Sequence, residues 1–238
     1  MRLDQYLVNQ GLFESRNKAQ DAIKSGLVLV DGKELTKVSF KVSKQKVEVK
    51  SHKFYVSRAA RKLEEYLKEF DLPIEGKRAL DIGSSTGGFT QILLENGAKS
   101  VDCVDVGKEQ LHSSLREDTR VRVYEECDIR EFKSECYNLI VSDVSFISLI
   151  KIIPSIDRLS CDGCYITLLF KPQFEVGKDA KRDSNGVVLD SKAIELAKDN
   201  FLQECIKFGF RLLDSRESKV KGKEGNQEFI YTFIKDSK

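Results

Sequence analysis

Apolar positions along the chain change their period several times, and each change marks a candidate element. Residues 2–10 place Leu3, Tyr6 and Leu7 at helical spacing and stop at Gly11. Ser15 is a natural N-cap for a second helix, whose stripe is Ala19, Ala22 and Ile23 and whose end is marked by Gly26. Residues 27–30 and 33–35 flank Asp31-Gly32 and read as two strands joined by a tight turn. Residues 46–50 alternate and form a further strand. Residues 58–70 return to helical spacing through Ala59, Ala60, Leu63, Tyr66 and Leu67, and Pro73 closes that segment. Beyond it, strand-like runs alternate with helical ones. The strands are the run ending at Asp81, then 100–105, 121–124, 137–142, 165–170, 210–213 and 228–233. The helices start near Phe89 and cover 107–115, 146–159 and 191–208. This alternation predicts an α/β fold, a Rossmann-like sheet with helices on both faces, preceded by a small α+β domain.

Length and composition agree with that division. The chain has 238 residues, enough for one α/β domain of ordinary size and a small module. We place the module at 1–50, a linker at 51–57 and the α/β domain at 58–238. Apolar residues make up 40% and charged residues 33%, as in globular proteins. No apolar run is long enough to span a bilayer, and the N-terminus lacks a secretory core, so the cytoplasm is expected and no membrane partner. Six cysteines are scattered without a disulfide-like framework, and Cys161-Asp-Gly-Cys164 reads as a turn between elements. With His52 and His112 as the only histidines, a four-ligand zinc site is not expected, and no metal is assigned. Charge is unevenly spread. Residues 1–60 hold 12 Lys/Arg against 6 Asp/Glu, a net +6, which leaves −4 for the rest of a chain of net +2. A basic module ahead of a mildly acidic domain points to a polyanionic partner.

The chemistry centres on Ala79-Leu-Asp-Ile-Gly-Ser-Ser-Thr-Gly-Gly-Phe-Thr90. Strand, glycine turn and helix open a nucleotide-binding unit. Phe89 stands where a P-loop needs lysine, which argues against ATP or GTP, and Gly83, Gly87 and Gly88 do not fit the dinucleotide fingerprint. Asp105 ends the next strand, about 20 residues on, where an acid accepts hydrogen bonds from ribose hydroxyls. An adenosine ligand without phosphates is favoured, and S-adenosylmethionine is the obvious one. The cofactor-binding candidates are Asp81, Gly83, Ser85, Gly87, Gly88 and Asp105. Asp128, after the next strand, is a candidate for the adenine amino group. A tight structural turn with a solvated acid is the plainer alternative. Asp143 and Lys171 also stand at strand ends, where ligands bind in open α/β sheets. A lysine held partly out of water can serve as a general base, as methyl transfer to a ribose hydroxyl requires.

Two resemblances sharpen this. The order R-L-D-x-x-L, S-R-x-x-A and I-x-x-G-x-V-x-V-D-G over residues 1–50 resembles the small RNA-binding domain first seen in a small-subunit ribosomal protein. The resemblance implies RNA contacts by Arg2, Arg16 and Lys18. From about residue 58 the chain resembles the FtsJ-type 2′-O-ribose methyltransferases, which carry a Lys-Asp-Lys-Glu tetrad. The matching positions are Lys62 in Ser57-Arg-Ala-Ala-Arg-Lys-Leu, Asp143 in Val141-Ser-Asp-Val-Ser-Phe, Lys171 in Leu169-Phe-Lys-Pro-Gln-Phe-Glu and Glu228 in Gly225-Asn-Gln-Glu-Phe. The resemblance implies that Lys171 takes the hydroxyl proton, Lys62 and Asp143 position the ribose, and Glu228 orients the hydroxyl or Lys62. With both parts in this order the chain resembles the TlyA family, also called hemolysin A. That implies 2′-O-methylation of a cytidine in ribosomal RNA. The resemblance is to the shorter form of the family, which implies 16S RNA of the 30S subunit as substrate. A non-catalytic RNA-binding protein, a pseudouridine synthase and a membrane-active hemolysin are the competing readings.

Overall fold

The computed structural model describes residues 1–13, 15–50 and 54–236. The expected linker at 51–57 lies partly outside them. The chain divides into two compact units, Met1–Phe54 and Tyr55–Lys238.

The first unit pairs helices α1 (Leu3–Asn9) and α2 (Arg16–Lys24) with a small antiparallel sheet. Its strands are β1 (Val28–Val30), β2 (Lys33–Glu34) and β3 (Val47–Val49), in the order β2-β1-β3. Ser15 caps α2 by accepting the Lys18 N–H at 3.3 Å. The β1–β2 turn puts both Asp31 and Gly32 at positive φ, the requirement of a tight two-residue hairpin. Leu3, Leu7, Ala19, Ala22, Ile23, Val28, Val30 and Val42 form its buried core.

The second unit is a seven-stranded sheet in the order β6-β5-β4-β7-β8-β10-β9. The strands are β4 (Arg78–Ile82), β5 (Ser100–Val104), β6 (Val121–Tyr124), β7 (Tyr137–Ser142), β8 (Ser160–Phe170), β9 (Phe210–Glu217) and β10 (Phe229–Lys235). The first five run parallel, and β10 inserts antiparallel between β8 and β9. Helices α3 (Arg58–Leu67), α4 (Gly88–Glu95), α6 (Ile153–Leu159) and α8 (Ser191–Lys207) cover the sheet, with short helices α5 (Ser113–Arg116) and α7 (Pro172–Glu175). Two apolar clusters hold the layers together. One gathers Leu63, Tyr66, Phe89, Ile92, Leu93 and Leu139 around α3 and α4. The other gathers Ile140, Ile156, Phe170, Phe201, Phe210 and Phe233 around α6 and α8.

Three expectations need correction. The helix expected over 107–115 shrinks to α5, because Glu125 accepts the N–H groups of Glu109, Gln110 and Leu111 and Glu109 takes a positive φ. The helix expected over 146–159 is a loop, one turn of 3-10 helix at Leu149–Lys151 and then α6, because Phe146 has φ +65° and Pro154 fits only a first helical turn. The cysteines are not all free. Cys136 and Cys161 form a disulfide, and residues 160–164 begin β8 with a register shift rather than making a turn between elements. Among the described residues, no group of three or more His, Cys, Asp or Glu side chains is arranged to hold a metal ion.

Candidate active site

The glycine turn is built by local geometry. Gly83 and Gly87 have φ +74° and +90°, and Ser85, a non-glycine, sits at +46° between them. A side chain on Gly83 would press against Val144, and one on Gly87 against Leu111 and Leu115. Gly88 opens α4 where α3 passes closest. A Cβ there would stand 2.3 Å from Ser57 Oγ and 2.7 Å from Ala60 N. The turn can therefore close only with glycine at these positions.

Asp81 leaves β4 buried, at 1% exposure. Its Oδ2 accepts Thr90 N–H at 3.0 Å and Thr90 Oγ1–H at 2.7 Å, while its Oδ1 has no protein partner. Burial raises this carboxyl to about 7, against the pull of Thr90 and with further repulsion from Asp143 and Asp105. Asp105 holds the turn from the next strand. Its oxygens accept Ser85 N–H at 2.8 Å and Gly107 N–H at 2.7 Å. Each oxygen keeps a lone pair for a further donor.

The four tetrad positions converge. Lys62, on α3, lies 2.6 Å from Glu228 Oε2 and 3.9 Å from Asp143 Oδ2. Lys171, just beyond β8, lies 2.5 Å from Asp143 Oδ1. The result is a continuous chain, Glu228–Lys62–Asp143–Lys171, alternating in charge. Both lysines are 7% exposed and Glu228 is 2% exposed. Buried charges at this depth persist only when paired. Gln173 donates to Glu228 Oε1 at 3.4 Å, and the backbone of Gly222 closes over the same oxygen. Lys171 also donates to Ser145 Oγ at 2.8 Å and to the Asp143 carbonyl at 3.4 Å.

The first part of the glycine turn and three of the four tetrad residues line one cavity of about 260 Å³, with Gly87, Gly88, Asp105 and Glu228 set behind its wall. Asp81, Gly83 and Ser85 line it from the turn, and Lys62, Asp143 and Lys171 from the tetrad. Ser57, Arg58 and Ser145 line it too, and the sequence reading missed all three. Ser57 Oγ is buried without a partner, like Asp81 Oδ1. Two orphaned polar atoms and a glycine cradle fit a small polar ligand bearing hydrogen-bond donors and a cationic end, such as S-adenosylmethionine. Beside the cavity, Phe146 is 92% exposed and its ring lies 5.2 Å from that of Phe174.

Not every candidate reaches this cavity. Asp128 turns onto Arg130, accepting its backbone N–H at 2.9 Å and pairing with its guanidinium at 2.5 Å, a local turn that Arg130 stabilises by holding the carboxyl below its ordinary range. In the first unit, Arg2 and Arg16 both grip Asp4, at 3.1 and 3.0 Å, and Gln20 donates to it at 2.8 Å. Asp4 is 0% exposed. Burial alone would raise its carboxyl, but the bonds from Arg2, Gln20 and Arg16 outweigh it and hold it far below the usual range. Arg16 and Gln20 thus brace α2 against Asp4 of α1, Arg2 pairs with Asp4 within the α1 N-terminus, and about half of each arginine side chain faces solvent. Lys18 stacks its ammonium over Phe54 at 4.6 Å.

Comparison with known proteins agrees with this architecture. Residues 55–235 match the family described as FtsJ-like methyltransferase, and residues 1–47 match the S4 domain. A Campylobacter jejuni protein named 23S rRNA (cytidine-2′-O)-methyltransferase TlyA is 45% identical, over 99% of this chain and 100% of its own length. A Mycobacterium tuberculosis protein named 16S/23S rRNA (cytidine-2′-O)-methyltransferase TlyA is 37% identical, over 96% of this chain and 88% of its own. A solved structure from Streptococcus thermophilus, described as a hemolysin, aligns with a TM-score of 0.75 at 36% identity, covering 100% of this chain and 89% of that one.

Proposed function

The chain belongs to the FtsJ-like methyltransferase family, in its TlyA branch, and from that premise we propose that it methylates the 2′-hydroxyl of a cytidine in ribosomal RNA. The observation that carries this reading is the buried chain Glu228–Lys62–Asp143–Lys171, which meets the glycine turn in one cavity.

When bound, S-adenosylmethionine supplies a methyl group on an electron-poor sulfonium. The protein has three tasks. It holds the cofactor with Asp81, Ser57 and the glycine turn, aided by Asp105 at the next strand end. It fixes the ribose hydroxyl in near-attack position, and it removes that hydroxyl's proton. Lys171, as the neutral amine, is the base. Asp143 holds Lys171 from one side and Lys62 from the other, and Glu228 anchors Lys62. The S4 domain, with Lys18 and the solvent-facing parts of Arg2 and Arg16, contacts RNA phosphates. Such a substrate puts the working enzyme in the cytoplasm. Among the described residues no helix is long and apolar enough to cross a membrane.

The choice of subunit is a finer step. The sequence reading favours 16S RNA. The Campylobacter jejuni relative is named for 23S RNA, and the Mycobacterium tuberculosis one for both. These names make 50S the stronger first substrate and keep 30S in the comparison. The test is methyl transfer from tritiated S-adenosylmethionine to unmodified 30S subunits, 50S subunits and their bare RNAs, with Lys171→Ala beside wild type. Label from wild type alone supports the enzyme and its base. Transfer to neither subunit rejects the reading.

A further inference from the structure

Lys171 is hemmed in by its hydrogen-bond partners, and these differ in what they can do. Its ammonium has three N–H donors. It donates to Ser145 Oγ at 2.8 Å and to the Asp143 carbonyl at 3.4 Å, and its charge is held 2.5 Å from Asp143 Oδ1 in an ion pair. As a base, Lys171 must be the neutral amine, with two N–H groups and one lone pair. The Asp143 carboxylate and carbonyl can only accept, so they retain the two N–H groups. Among these partners Ser145 alone can also donate, because a hydroxyl carries a proton as well as two lone pairs. The lone pair therefore faces Ser145. Exposure gives the direction of traffic. Lys171 is 7% exposed, whereas Ser145 is exposed and lines the cavity. Ser145 stands between the buried amine and the open side of the site.

We propose that Ser145 is a catalytic proton relay between the ribose 2′-hydroxyl and Lys171. This rests on the methyltransferase reading above. In the step, the 2′-O–H bond breaks and its proton passes to Ser145 Oγ. The Ser145 proton passes to the Lys171 nitrogen, which becomes the ammonium. The ribose oxygen bonds the methyl carbon as the carbon–sulfur bond breaks, and that bond's electron pair stays on sulfur. Ser145 ends as the hydroxyl it began as, and Lys171 then gives its extra proton to solvent.

The experiment is single-turnover methyl transfer by the full chain on its RNA substrate, with wild type, Ser145→Ala, Ser145→Thr and Lys171→Ala. General acid–base steps contribute about 100-fold or more, so Ser145→Ala should slow transfer about 100-fold at saturating cofactor and RNA. Ser145→Thr keeps the hydroxyl and should recover most of the rate. A merely orienting serine would not alter the solvent isotope response. The relay requires that the wild-type rate bow downward with deuterium fraction, because two protons move, and that residual Ser145→Ala transfer vary linearly. An active wild type with Ser145→Ala within threefold of it, or a linear wild-type response, overturns the relay and leaves the methyltransferase reading standing. A wild type inactive on both subunits overturns that reading and the relay with it.

Discussion

Lys62 has only 7% of its surface in water and stands between two carboxylates, 2.6 Å from Glu228 and 3.9 Å from Asp143. Its charge is structural as well as chemical. Removing one member of a buried pair leaves the other desolvated and uncompensated. Lys62→Met should lower stability by about 3 kcal/mol, and Lys62→Met combined with Glu228→Met should recover much of that loss while activity stays absent. Urea unfolding beside a methyl-transfer assay checks both, and a double variant no more stable than the single one would deny the pairing. Asp81 makes a second residue-scale prediction. Its carboxyl lies at about 7 in the fold, above the ordinary 3.8. Its folded-state value is raised, so the stability it contributes is full below pH 4 and is lost as pH rises through 7. At 1.36 kcal/mol per unit, the stability of wild type relative to Asp81→Asn should fall by about 4 kcal/mol across that window. A flat difference between the two proteins would mean that Asp81 is ionised throughout.

Among elements, the packing of α3 on α4 does most to shape the cavity. It brings Ser57 at the N-cap of one helix, and Arg58 and Lys62 on it, against the glycine turn at the start of the other. The approach depends on Gly88, since the atoms nearest a Cβ include the Ala60 backbone nitrogen, which cannot swing aside. Gly88→Ala should cost about 1–3 kcal/mol through overpacking and weaken cofactor binding by forcing the helices apart. Thermal unfolding and equilibrium binding of S-adenosylmethionine measure the two effects. Unchanged values for both would show that α3 is free to shift. Element boundaries were harder to read than element types. Residues 107–111 lie in a loop because Glu125 takes three of their N–H groups, a contact made across 14 to 16 residues. The Cys136–Cys161 disulfide joins the segment before β7 to the first residues of β8, two places that are neighbours only once the sheet forms.

At the scale of the whole molecule, charge divides between the two units. Residues 1–54 hold 11 Lys/Arg against 6 Asp/Glu, a net +5, and the second unit holds −3. Lys33 lies in β2, and Lys37, Lys41 and Lys44 follow it in the first unit. Replacing all four with Ala should weaken RNA binding and reduce the slope of log affinity against log salt by up to about 0.9 for each phosphate that is no longer neutralised. Cofactor affinity should not change. Filter binding over a series of salt concentrations tests this, and an unchanged slope would exclude these lysines from the RNA interface. The expected RNA contacts of Arg2 and Arg16 are more costly to probe, because their removal also exposes the buried Asp4.

The sequence by itself determined the order of elements, the glycine turn and the strand-end positions of Asp143 and Lys171, while Lys62 and Glu228 were singled out only by resemblance to a family. The first three are local signals. Periodicity reports which face of an element is buried, positive φ demands glycine at Gly83 and Gly87, and strand ends in an α/β sheet are where ligands bind. Tertiary structure alone decided what those residues touch. It inserted β10 antiparallel between β8 and β9, and so brought Glu228 to Lys62 across 166 positions of chain. It turned Asp128 onto Arg130, committed Arg2 and Arg16 to Asp4, paired Cys136 with Cys161 and set Ser145 against Lys171. In each case a polar or reactive group had several chemically equivalent partners along the chain. The choice among them follows from burial, which removes water as a competitor and leaves only the neighbour that packing supplies.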